Sequence, residues 1–129
     1  MKNITTLIAL LFLSFIGFAQ SGPKIDIQQS ENTVDYGKVN KSTDNGIRNF
    51  TFTNSGDAPL SITGIQSTAS FTILYKPSQP IAPGKSDRIE VKYNMVPGPI
   101  RKTITLETNA VNYADGRVPL KIKGEVLTN

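Results

Sequence analysis

The chain contains no cysteine and no histidine. Those two absences remove both usual zinc ligands, the commonest general base and any thiol nucleophile, so most hydrolytic and redox constellations are excluded. Disulfides are excluded as well, and stability must come from packing and strand pairing. Tryptophan is missing too, which leaves Tyr36, Tyr75, Tyr93 and Tyr113 as the only residues with an aromatic face and a polar tip. Charge of a single sign is scarce: 14 Lys and Arg stand against 10 Asp and Glu. The two signs interleave, so nothing resembles a nucleic-acid tail or a polybasic membrane arm. Carboxylate chemistry alone stays open. Asp26, Asp35, Asp57, Asp87 and Asp115 fall on different strands or turns, with no sequence argument to bring two together as acid and base. The expectation is a protein that is not an enzyme and that carries no cofactor or metal.

One long hydrophobic run is present, and it opens the chain. Met1-Lys2-Asn3 carries a positive charge, and Ile4 to Phe18 is almost wholly apolar. About 15 such residues fall short of the roughly 20 needed to cross a bilayer as a helix. Gly17-Phe18-Ala19 then places small residues where a signal peptidase needs them, so cleavage is expected between Ala19 and Gln20. No cysteine lies at the cut to take a lipid. The expected organisation is a signal peptide over residues 1–19 and a single domain over 20–129, long enough to bury a core. The short end after the last strand, Leu127-Thr128-Asn129, leaves no room for a sorting domain and favours the periplasm over the exterior.

The remaining sequence alternates. Lys24 to Gln28, Val34 to Val39, Ile47 to Thr53, Ile89 to Tyr93 and Val118 to Val126 place apolar residues at every second position, which is the period of a half-buried strand. Leu60 and Ile62 begin another row, and Gly64 shifts its phase as a bulge would. Phe71, Ile73 and Tyr75 suggest a short strand. Three prolines between Lys76 and Gly84 bar that segment from a sheet. Pro97-Gly98-Pro99 reads as a forced turn, after which Ile104 and Leu106 face inward. Seven to eight short strands without helical periodicity predict an immunoglobulin-like antiparallel β-sandwich, with a small barrel as the alternative.

Asn54-Ser55-Gly56-Asp57 lies between two of these strands. Asn54 and Asp57 have the chemistry to bond amides two residues on, Gly56 tolerates positive φ, and Pro59 delays the next ladder. A phosphate cradle would want more glycines and a following helix, and a calcium loop more carboxylates, so a plain turn is expected.

FTFTNSGDAPLSITGI, then PIAPGKSDRIEVKY, PGPIRKTITLETNA and a terminal VPLKIKGEV resemble the secreted Ig-like family catalogued as domain of unknown function 1573, typical of Bacteroidetes and similar to major-sperm-protein and Hydin-like modules. The resemblance spans about Asp35 to Val126. It implies an exported sandwich used for interaction or scaffolding, with no reaction to carry over. One departure stands out. Where the family commonly carries Ser-Cys-Gly-Cys-Thr, this chain reads Ser67-Thr68-Ala69-Ser70-Phe71-Thr72, so any role supported by a cysteine pair is lost.

Two surfaces are candidates for binding. Arg88, Lys92, Arg101, Lys121 and Lys123 all point outward by alternation and would form a basic stripe if their strands were neighbours, although Glu90, Glu107 and Glu125 interleave. Tyr75, Lys76 and Tyr113 place aromatics and a cation beside turns at the ends of the sandwich. Free strand edges offer a further docking route. The expected partner is another envelope protein, with glycan or lipopolysaccharide as the alternative and nucleic acid excluded.

Overall fold

A computed structural model describes residues 21–128. The expected signal peptide and its cleavage point at Ala19 and Gln20 lie outside the described residues. Eight strands follow in order: β1 (Ile25–Ile27), β2 (Thr33–Asn40), β3 (Ile47–Asn54), β4 (Ile62–Gln66), β5 (Phe71–Tyr75), β6 (Ser86–Tyr93), β7 (Gly98–Thr108) and β8 (Arg117–Leu127). They make two four-stranded sheets, ordered β1-β3-β6-β5 and β2-β8-β7-β4. The immunoglobulin-like sandwich expected from the alternation is what forms.

The core is the inward half of that alternation. Phe50 and Phe52 of β3, Ile89 and Val91 of β6, Ile100, Ile104 and Leu106 of β7, and Val118, Leu120 and Ile122 of β8 are fully buried. Each such side chain contributes about 1.5–3 kcal/mol over its exposed state. Gly64 lies at the expected bulge, where the pairing of β4 with β7 shifts between Ile62 and Gly64.

Three local expectations are corrected. Pro97-Gly98-Pro99 is not simply a turn: Gly98 and Pro99 already belong to β7 and pair with Val126 and Glu125. Proline is tolerated there because β4 reaches only Thr105 to Thr108, so the start of β7 has a ladder on one side alone. The sandwich is not wholly antiparallel, since β2 runs parallel to β8. Gly56 does not take positive φ. Its hydrogen is needed because a Cβ there would collide with the carbonyl of Gly22.

Candidate interaction surfaces

The Asn54–Asp57 bend is a junction rather than a ligand loop. Asn54 ends β3 pointing inward and is completely buried. Its amide donates to the carbonyls of Ala58 (2.8 Å) and Ile81 (2.9 Å), and its carbonyl accepts from the Gly56 amide at 2.9 Å. The last of these is the expected bond two residues on. Asp57 behaves differently, because its carboxylate accepts from the amide of Gly22, far away in sequence. The Ser55 and Asp57 amides donate in turn to the carbonyls of Lys24 and Gly22. The bend thus clasps the strand that leads into β1.

The outward basic residues divide between two opposite faces. Arg88 and Lys92 lie on β6, in the sheet with β1, β3 and β5, whereas Arg101, Lys121 and Lys123 lie on β7 and β8 in the other. A single stripe of five is therefore corrected to two clusters, back to back across the sandwich. Alternation told which way each side chain points within its strand, but not which strands share a sheet.

Arg101, Lys121 and Lys123 do come together. Pairing sets Arg101 opposite Lys123, and Lys121 between Thr33 and Thr103. Cross-strand neighbours of this kind stand about 4.5–5.5 Å apart, so Arg101 and Lys123 are held as a like-charged pair. Lys123 has Asp35 at 4.0 Å on its other side, an exposed contact of small energetic value. These residues line an open depression of about 990 Å³, with Glu31, Asp35 and Glu125 also on its walls.

On the opposite face, the Arg88 guanidinium lies 4.2 Å from the Tyr75 ring centroid, and the Tyr75 hydroxyl donates to Asp87 at 3.2 Å. Partial burial, followed by that bond to a carboxylate, pushes the Tyr75 phenol up. Lys76 is exposed beside it. Tyr113 is half-buried against the core, and its hydroxyl accepts from Asn32 at 3.0 Å, which makes it a structural residue. The Ser67–Ser70 segment is a turn in which the Phe71 amide reaches the Thr68 carbonyl, allowing Phe71 to enter the core.

Sequence reasoning missed one built cluster. Arg48, the exception to alternation in β3, grips Asp44 at 2.7 and 3.1 Å, and its guanidinium lies 4.2 Å from the ring centroid of Tyr36. The buried Tyr36 hydroxyl donates to the Gly46 carbonyl at 2.6 Å. The bond from Arg48 holds the Asp44 carboxyl below its usual range, while burial pushes the Tyr36 phenol up to about 12. The signal was Arg48 itself, a charge at the start of an otherwise regular strand. Among the described residues no group of three or more acids gathers as a metal site would require.

No further strand pairs with the outer edges of β1, β5, β2 and β4, although on β1 the Asn112 side chain already bonds both the Ile25 amide and its carbonyl. Most of these edges are blunted. β1 is three residues long, and β2, β4 and β5 each carry a register shift, between Asp35 and Lys38, Ile62 and Gly64, and Ile73 and Tyr75.

The family described as Protein of unknown function (DUF1573) matches residues 27–126. Among solved structures, a protein of unknown function from Porphyromonas gingivalis W83 superposes with a TM-score of 0.66 at 17% identity, covering 83% of this chain and 48% of that one. The Vibrio cholerae VesB protease matches with a TM-score of 0.59 at 18% identity, covering 88% of this chain and 35% of the protease. The PapD-like domain 7 of human CEP192 matches at 0.54 and 10% identity, covering 82% and 87%. The chain thus spans about half of the first protein and a third of the second. At such identities the likeness is one of fold. With no histidine, this chain holds no Ser-His-Asp arrangement to go with the likeness to a protease. No curated protein matches the chain.

Proposed function

Because the chain belongs to the DUF1573 family, for which no reaction is described, we propose that it is an exported, non-catalytic interaction or scaffolding module of the bacterial cell envelope. It works in the periplasm, and its partner is another envelope protein. The observation that carries this reading is the set of free strand edges bordering a sandwich whose interior is filled with apolar side chains. Unpaired edge amides and carbonyls are a template that a partner's strand extends.

The absence of cysteine makes the test direct. Asp26→Cys, Lys38→Cys, Thr63→Cys, Thr72→Cys and Thr103→Cys each place one unique thiol on β1, β2, β4, β5 or the half of β7 that β4 leaves uncovered, at an exposed position. A photo-crosslinker on each is expected to trap a defined envelope protein at one edge and not at the others. The reading fails if no edge traps a protein in intact cells.

A second reading is favoured by the depression that gathers Arg101, Lys121 and Lys123: a carbohydrate- or lipid-A-binding domain. A glycan array and lipid A resin test it, and a saccharide hit without a protein partner would replace the first reading.

A further inference from the structure

We infer that the first half of β7, Gly98 to Thr103, accepts an extended acidic segment of a partner protein as an added strand. The inference rests on the interaction-module reading and says where the partner docks and what it is made of.

β7 pairs with β8 along its whole length, from Gly98 opposite Val126 to Glu107 opposite Arg117, without any register shift. On its other side β4 covers only Thr105 to Thr108. From Gly98 to Ile104 that second edge has no strand, and among the described residues no loop or side chain bonds to it. Gly98 has φ 119° and Pro99 offers no N–H, so the regular part of this edge runs from Ile100 to Ile104; at about 3.4 Å per residue it is on the order of 17 Å long, still a strand of ordinary size. It rests on firm ground, since Ile100 and Ile104 are fully buried. A partner strand here would continue the line of β4. The edges of β1, β2, β4 and β5 are too short or too interrupted to offer as long a regular ladder.

Charge selects the occupant. Arg101 projects outward opposite Lys123, a like-charged pair that a carboxylate on an adjacent strand would relieve. Lys102 alternates inward between Ile100 and Ile104 and is half-buried at the open edge. An inward cation is a common device against unwanted edge pairing. It disfavours a neutral strand and a second copy of the same edge, which would set Arg101 and Lys102 against their own kind. An acidic strand meets no such penalty. Glu31, Asp35 and Glu125 border the basic depression away from the open edge of β7, so a flat anionic surface laid over this face would meet carboxylates as well as cations.

The probe is a fluorescein-labelled octapeptide of four Glu-Val repeats, followed by anisotropy. Saturable binding is expected, weakened by salt, at least tenfold weaker for Arg101→Glu with Lys102→Glu, and absent for a Lys-Val peptide. N-methylating alternate peptide amides, which keeps the charge and blocks the ladder, is expected to cost at least tenfold. Amide shift mapping on the unmodified protein, which does not depend on the variant folding, should place the changes at Gly98–Thr103. No binding by the parent, equal binding by the double variant, or shifts centred elsewhere would overturn the assignment. Equal affinity for the N-methylated peptide, with competition by polyuronate, would replace it with a polyanion site. Crosslinking at one of the other edges while the peptide fails would sink this inference and leave the module reading standing; absence of any edge partner would sink both.

Discussion

The side chain of Asn54 donates a 2.9 Å hydrogen bond to the carbonyl of Ile81, joining the end of β3 to the proline-rich connection before β6 inside the otherwise apolar core. A second bond from the same amide to Ala58, and one accepted from Gly56, leave no polar atom of the side chain idle. Replacing Asn54 by Ala or Leu takes the partner from the Ala58 carbonyl and the Gly56 amide, while the Ile81 carbonyl keeps only the Leu60 amide. We expect a loss of roughly 2–4 kcal/mol, read as a lower urea midpoint with an unchanged slope.

Gly56→Ala should be costly for a different reason. The new methyl group would overlap the Gly22 carbonyl, and backbone is not easily displaced. The expected result is release of residues 22–24 from the bend, with faster hydrogen exchange at the Ser55 and Asp57 amides. Gly84→Ala is the control, since its added methyl meets open space and only the positive φ is strained, at about 1 kcal/mol.

The Arg48 cluster makes stability depend on pH at both ends. Asp44 has its carboxyl lowered, so its contribution is present above the unfolded value near 4 and lost as pH falls through the lower folded value. Asp44→Asn should flatten the acid limb of the unfolding midpoint. Tyr36 is raised from 10.0 to about 12, so the folded state keeps its advantage below pH 10 and loses it as pH climbs toward 12. Absorbance titration of the phenols should lose its latest-ionising component in Tyr36→Phe.

The division of basic residues predicts unequal effects on anion binding. Combined alanine substitution at Arg101, Lys121 and Lys123 should lower the salt needed for elution from heparin, whereas Arg88→Ala with Lys92→Ala should change it much less. Shifts in proportion to the three and two cations removed would mean that retention follows net charge and not the depression.

Several of these features were legible in the chain before folding. The inward rows of β3, β6 and β8, the bulge at Gly64 and the Asn54 to Gly56 bond all follow from local rules, because side-chain alternation and turn chemistry involve residues a few positions apart. Other features were not. Pro99 looked like a turn residue, since proline interrupts a two-sided ladder, and only the shortness of β4 makes its place in β7 acceptable. Asp57 looked like a local cap, yet its partner is Gly22.

By itself the sequence determined the class of fold, the inward and outward side of nearly every strand, and the absence of thiol and imidazole chemistry. Tertiary structure alone decided that β6 lies in one sheet and β7 with β8 in the other, which split the basic residues into two faces and left half of β7 open. The reason is physical: the pleat sets which way a side chain points over two residues. The choice of neighbouring strand depends on packing between segments distant in the chain, where many pairings satisfy the same alternation.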